Sequence, residues 1–236
     1  MRWIYLLVGL LLVPLCMAAT CTMAAMLTTW LTLSDPAQRI AMLALGCGIC
    51  IWLIIWALLP APGRSYVLAH ELTHAIWGML TGARLSGMRV THRDGYVKLS
   101  ESNVLTALAP YFMPFYTLLL LLLMGVSSWF FDLHKIRLIW LLLIGASIGF
   151  HFSRTIQVLS RQQSDLRAYG TIFPYTAIYL LNLAWLMLLS VWLSGMAPED
   201  WTARLAHDWH GVLQMGRQAI TLVSAGVSSG IGAWRQ

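Results

Sequence analysis

Long apolar runs separated by short polar segments dominate the pattern of the 236-residue chain. A membrane-spanning helix needs about 20 mostly apolar residues, and six runs approach or exceed that length. They are predicted at residues 3–32, 40–60, 64–82, 103–131, 137–157 and 171–195. Pro110 and Pro114 predict a kink in the fourth run. The first run resembles a signal peptide with small residues before a cleavage site, but its length favours a retained helix.

Two segments have a different pattern. Residues 84–100 alternate apolar and polar positions around Asp94-Gly95, which predicts a β-hairpin with a two-residue turn at the membrane interface. That turn puts Val90, His92, Val97 and Leu99 on one face and Thr91, Arg93, Tyr96 and Lys98 on the other. Near the C-terminus, the four-residue spacing of apolar side chains predicts an amphipathic helix on the membrane surface; these are Trp201, Leu205, Trp209 and Leu213.

These patterns predict an all-α polytopic membrane protein with about six transmembrane helices, an interfacial β-hairpin and a C-terminal amphipathic helix. Three regions follow from the same reading. Residues 1–62 hold two N-terminal transmembrane helices, residues 63–195 form a transmembrane core that includes the hairpin, and residues 196–236 form a surface tail. With six spans the basic residues divide almost evenly between the two sides, so the positive-inside rule selects no orientation.

Composition supports a membrane protein, since 59% of the residues are hydrophobic and only 10% are charged. The net charge of +6 is spread over short loops without a basic run, which favours anionic lipid headgroups and excludes a nucleic-acid-binding surface. Cys47 and Cys50 have the spacing of a metal or redox pair, but they lie in an apolar run. We interpret all four cysteines as small apolar residues of helices; they are Cys16, Cys21, Cys47 and Cys50.

The third apolar run carries the sequence His70-Glu71-Leu72-Thr73-His74, an HExxH motif. On a helix the two histidines are one turn apart and can bind one Zn²⁺, while Glu71 on the same flank can take a proton from an activated water. Each ionisable side chain costs a few kcal/mol at the centre of a membrane helix. Three of them on one face therefore indicate a compensating metal ion.

An HExxH helix followed by an interfacial hairpin and further spans resembles the site-2-protease family of intramembrane metalloproteases, peptidase family M50. The resemblance covers mainly residues 64–170. It implies a zinc endopeptidase in which Glu71 is the catalytic base and the substrate is a transmembrane protein. It also implies a third ligand, an Asp from an Asn-Pro-Asp-Gly-like motif, and this chain has no such motif.

Two residues compete to be the third ligand. Asp165 has the residue type that the resemblance implies and precedes a span, as the family's Asp does. The depth of His151 in the membrane is closer to that of His74. With six spans the third and fifth runs cross in the same direction, and His151 lies about 21 Å along its helix from Arg137, while His74 lies about 15 Å from Arg64. We predict His151 as a ligand, with Asp165 as a ligand or an outer partner.

The predicted function is hydrolysis of a peptide bond in or near a transmembrane segment, in a multi-pass protein of a prokaryotic cell (inner) membrane. A metal transporter would need ionisable residues spread along several spans, whereas here they cluster on the third. The alternative is a catalytically inactive scaffold or metal-binding membrane protein of the same fold. The intact Glu71 argues against this alternative.

Overall fold

The computed structural model describes residues 2–32, 35–59, 63–92, 94–161, 163–195 and 197–233. Within these ranges the chain forms eight α-helices and one two-stranded sheet. The helices are α1 (Arg2–Leu31), α2 (Pro36–Leu58), α3 (Gly63–Leu80), α4 (Val104–Phe112), α5 (Phe115–Ser127), α6 (Arg137–Leu159), α7 (Ile172–Ser194) and α8 (Pro198–Ala233). The strands are β1 (Leu85–Val90) and β2 (Gly95–Leu99), and short 3₁₀ turns lie at Leu133–Ile136 and Arg167–Tyr169.

Four helical segments of the described chain are long and apolar enough to cross a membrane, and they include α1, α2, α6 and α7. The pair α4 and α5 makes a fifth if the two count as one span. The predicted number of about six spans is not confirmed. The difference is α3, whose 18 residues include Arg64, His70, Glu71 and His74 and are therefore less apolar than a span.

The directions of the helices agree with five spans, in which α1 and α7 are the first and fifth and α2 and α6 are the second and fourth, so that each pair crosses in the same direction. Helix α1 runs parallel to α7, because Tyr5 contacts Phe173 near one end and Thr20 is bonded to Tyr179 further along (2.7 Å). Helix α2 runs parallel to α6, because Leu45 lies against Gly145 and Trp52 donates to Ser153 (3.0 Å) further along both helices. A Cβ added at Gly145 would lie 2.1 Å from the carbonyl oxygen of Leu45, so only glycine permits this close crossing.

The predicted kink in the fourth apolar run is present as a break between two helices. Helices α4 and α5 meet at Met113 and Pro114 with a bend of 74°. The residue before a proline is disfavoured in the helical conformation, and proline cannot donate to the preceding turn. Pro110 lies inside α4, where it removes one further backbone hydrogen bond.

The predicted hairpin is present, with β1 and β2 antiparallel and Val90 opposite Gly95. The predicted two-residue turn is wrong, because Gly95 is already in β2 and the loop covers four residues, 91–94. The Thr91 hydroxyl donates to the Asp94 carbonyl oxygen (2.8 Å) and accepts from the Asp94 N–H (3.1 Å), which closes this longer loop. On β2 the half-buried Val97 and Leu99 share one face and the exposed Tyr96 and Lys98 share the other, as predicted. In the loop the predicted faces do not hold, because His92 is exposed and Thr91 is half-buried; Arg93 lies outside the described residues.

The C-terminal segment forms the predicted helix, α8, and its first half packs on α1. Trp201 and Leu205 contact the apolar cluster that contains Ala19 and Met23. Asp208 accepts a hydrogen bond from the Thr22 hydroxyl (2.8 Å). Residues 213–224 are exposed. The first half of the amphipathic helix is therefore attached to the helix bundle.

Candidate metal centre

Helix α3 carries the HExxH motif and brings its two histidines together on one face. The ring centres of His70 and His74 are 4.8 Å apart, and their Nε2 atoms are 3.2 Å apart. The opposite face of the helix carries exposed apolar side chains, namely Leu68, Ile76 and Met79. The i, i+4 spacing alone accounts for this pairing of the imidazoles.

A backbone carbonyl on α4 fixes the orientation of His74. The Nδ1 atom of His74 lies 2.8 Å from the carbonyl oxygen of Thr106. In a regular helix this carbonyl would accept the N–H of residue 110, but Pro110 has none. Because a carbonyl only accepts, His74 carries its proton on Nδ1 and presents the lone pair of Nε2 to His70.

Asp165 joins the two histidines from the loop between α6 and α7. Its Oδ2 atom is 3.7 Å from Nε2 of His70 and 3.5 Å from Nε2 of His74. These three residues are the one set of at least three metal-ligating side chains that converges among the residues that the structure describes. Their ligand atoms thus form a triangle with edges of 3.2, 3.5 and 3.7 Å.

The triangle has the size that a tetrahedral zinc site requires. Its centre lies about 2.0 Å from each of the three atoms, and zinc binds imidazole nitrogen and carboxylate oxygen at about 2.0–2.2 Å. Without a cation, a single proton on Nε2 of His70 faces two acceptors, Nε2 of His74 and Oδ2 of Asp165, and it can form a good hydrogen bond to only one of them. The donor set therefore fits a divalent metal ion with a preference for nitrogen and oxygen ligands.

Two tyrosines contact the other sides of these ligands. The hydroxyl of Tyr66, one turn before the motif, lies 3.1 Å from Nδ1 of His70. The hydroxyl of Tyr111 donates to Oδ2 of Asp165 (3.0 Å). Burial opposes ionisation of Asp165, but the facing imidazoles of His70 and His74 and the bond from Tyr111 outweigh it and hold the pKa of Asp165 well below its ordinary value. Asp165 is therefore a carboxylate at neutral pH.

Glu71 lies beside the triangle under strand β2. Its side chain is 7% exposed, and a Cβ added at Gly95 would lie 2.7 Å from its Cγ atom. Glycine is therefore required where the strand crosses Glu71. Both residues line an open cleft of about 820 Å³ that also reaches His70, His74 and Asp165. A molecule in this cleft would therefore contact Glu71 and the triangle together.

His151, which the depth estimate favours, lies apart from this group. It is buried, and its Nε2 atom is 3.0 Å from Oδ1 of Asn182 on α7. The Nδ2 atom of Asn182 donates to the carbonyl oxygens of Tyr111 and Ile178 (2.9 and 2.8 Å), so Oδ1 is the acceptor and His151 donates. The structure brings His70, His74 and Asp165 together and leaves His151 in a hydrogen bond to an amide.

Sequence reasoning did not identify the residues that hold the ligands. Tyr66 has a detectable signal, since it is four residues before His70 on the same helix face. Pro110 has one too, because it frees the carbonyl four residues earlier. Tyr111 and Asn182 reach the site only through packing of α4 and α7.

Comparison of the chain with protein-family models, curated proteins and solved structures finds no match.

Proposed function

We propose that this protein is an intramembrane zinc endopeptidase of the site-2-protease kind, which hydrolyses a peptide bond in or near a transmembrane segment of a membrane protein. The observation that carries the proposal is the triangle of His70, His74 and Asp165 beside the buried Glu71 in one open cleft. Two imidazoles, a carboxylate and an adjacent general base are the parts that metal-assisted peptide hydrolysis requires.

The ligands and Glu71 have separate parts in the proposed reaction. His70, His74 and Asp165 would hold the zinc ion, which would supply Lewis acidity to the cleft near neutral pH. Glu71 takes a proton from the attacking water and delivers it to the amine nitrogen as the C–N bond breaks. Its position beneath the backbone of Gly95 keeps the carboxylate within the cleft.

Strand β2 offers a backbone edge for an extended substrate. A peptide in a membrane helix hides its peptide bonds, so cleavage requires local unwinding. In an antiparallel ladder alternate residues direct N–H and C=O towards the partner strand, and the pairing of Thr91 N with Asp94 O sets this alternation. Val97 consequently directs its N–H and C=O away from β1, and it lines the cleft. We infer that substrate adds to this edge as a further strand.

The experiment that tests the proposed function uses the purified chain in liposomes with a peptide library of single transmembrane segments. We expect cleavage that a zinc chelator stops and added zinc restores, with fragments identified by mass spectrometry. In the same assay Val97→Pro, which removes the N–H at the free edge, is expected to slow cleavage by about tenfold or more. Cleavage that survives complete removal of metal would contradict the proposal.

The metal centre faces the cytoplasm in the proposed orientation. With five spans, three parts of the described chain lie at the end of the bundle that carries the site. They are the start of α1, the residues between the end of α2 and the start of α4, and the α6–α7 loop. Their described residues include seven of the 15 basic residues, which are Arg2, Arg64, Arg84, Arg89, Lys98, Arg161 and Arg167. The opposite end has four, which are Arg39 in the first turn of α2, Lys135, Arg137 at the start of α6 and Arg204 near the start of α8. The positive-inside rule therefore favours the site end as cytoplasmic in a prokaryotic cell membrane.

Reporter insertions in bacterial cells test this orientation. A fluorescent protein that folds only in the cytoplasm is expected to be active after Glu101 and inactive after Asp132, and alkaline phosphatase is expected to give the reverse pattern. These positions follow the hairpin and precede the Leu133–Ile136 turn, respectively. If the fluorescent protein is active after Asp132 and alkaline phosphatase is active after Glu101, the proposed orientation is wrong and the proposed metal centre is unaffected.

A further inference from the structure

Asp165 differs from the other two candidate ligands in how the chain holds it. His70 and His74 project from one continuous helix, α3, whose backbone keeps their spacing. Asp165 lies between α6 and the short Arg167–Tyr169 turn, outside any α-helix. Its Oδ1 atom accepts from the neighbouring Ser164 hydroxyl (3.1 Å). A contact from elsewhere in the fold must therefore fix Oδ2, the atom that faces the histidines.

Tyr111 provides that contact. Its hydroxyl donates to Oδ2 of Asp165 at 3.0 Å, and its ring packs edge-on against His70 with centroids 5.3 Å apart. Tyr111 has no exposed surface and is absent from the lining of the cleft. A substrate in the cleft therefore cannot touch it, and any effect of the hydroxyl on the site passes through Asp165.

The backbone of Tyr111 is held where helix α4 ends. The break before Pro114 leaves the Tyr111 carbonyl without a helical partner, and it accepts from Nδ2 of Asn182 (2.9 Å). Asn182 in turn accepts from His151 (3.0 Å). Hydrogen bonds therefore connect α6 and α7 to the backbone of Tyr111, and the side-chain hydroxyl of Tyr111 is bonded to Asp165.

We propose that Tyr111 is a positioning residue that holds Asp165 in place to bind the metal ion. This inference rests on the proposed metal-dependent function. It explains why a buried tyrosine hydroxyl lies in an otherwise apolar part of α4, among Ala107, Leu108 and Phe112. Partners that orient metal ligands typically change metal affinity by about 10–100-fold when they are lost.

A double-mutant cycle tests the proposal with zinc affinity, measured by competition with a chelating dye, as its readout. Tyr111→Phe keeps the ring and removes the hydroxyl, and it is expected to weaken zinc binding by about 10–100-fold. Asp165→Ala is expected to weaken it further. The variant with both changes is expected to match Asp165→Ala, because Tyr111 acts only through Asp165. Tyr175→Phe, which removes an exposed hydroxyl bonded to the Leu159 carbonyl, is the matched control with unchanged affinity.

The outcomes separate this inference from the proposed function. If the natural chain binds no zinc, the proposed function fails. If it binds zinc and Tyr111→Phe binds equally well, only the role of Tyr111 is overturned. The same holds if the two effects add in the double variant, since a general packing defect would be independent of Asp165. The Tyr111→Phe variant could fold poorly because Oδ2 of Asp165 loses its donor. In that case the comparison of Asp165→Ala with the double variant still measures the effect of the Tyr111 hydroxyl on zinc affinity without Asp165, where the proposal predicts no change.

Discussion

Replacement of Glu71 by glutamine is expected to abolish peptide cleavage while zinc remains bound. Glutamine has the size of glutamate, so it fits under Gly95 without moving the strand, but it cannot accept a proton from water. Loss of a general base typically lowers the rate by about 10²- to 10⁴-fold. The measurement combines the rate of cleavage in liposomes with the zinc content of the same preparation by mass spectrometry.

Glu101→Gln is the matched control, because Glu101 is also a carboxylate that lines the cleft but is exposed. Its rate is expected to stay within about twofold of the natural chain. Equal rates for the natural chain and Glu71→Gln would remove Glu71 from the mechanism. If no preparation cleaves any substrate but all bind zinc, the alternative of a metal-binding scaffold becomes the better description.

Replacement of Asp165 by alanine is expected to remove most bound zinc, whereas replacement of His151 by glutamine is expected to retain it. Asp165 contributes one corner of the triangle, and a lost ligand costs more affinity than the about 10–100-fold of a lost outer partner. Glutamine at position 151 can still donate to Oδ1 of Asn182, which is the hydrogen bond that His151 makes. Any cost is then to stability, by about 1–3 kcal/mol if that bond is lost.

Zinc titration of the two purified variants, with the thermal midpoint of each measured in parallel, checks this pair of outcomes. The reversed result, with zinc lost from the His151 variant and retained by the Asp165 variant, would restore the ligand set that helix depth favours. It would also require α6 and the α6–α7 loop to pack differently around α3. Loss of zinc from both variants with intact folding would mean that both residues bear on the site.

Local sequence signals predict the part of the site that lies on one helix. The spacing of His70 and His74 is sufficient to place two imidazoles on one face, and the structure has them 3.2 Å apart at Nε2. The hairpin follows equally from alternation over residues 84–100, apart from its turn. There the Thr91 hydroxyl closes a four-residue loop and releases Gly95 to cross Glu71.

The third ligand is beyond what depth along straight helices can predict. The estimate for His151 treats α3 as a span of the same kind as α6, whereas α3 is not among the membrane-crossing candidates of the described chain. The loop after α6 reaches the histidines because Tyr111 and the buried Leu166 hold it against α4 and α7. Such a placement depends on packing between segments that are distant in the sequence, and no fixed spacing of residues along the chain predicts it.

X-ray absorption at the zinc edge of the purified chain tests the metal centre most directly. The proposed metal centre predicts one zinc per chain with nitrogen and oxygen ligands at about 2.0–2.2 Å, scattering from two imidazoles and no sulfur. Preparations of Asp165→Ala are expected to lose this signal. A folded chain that binds no zinc, or a zinc ion bound by cysteine sulfur, would contradict the assignment of His70, His74 and Asp165 as a metal site.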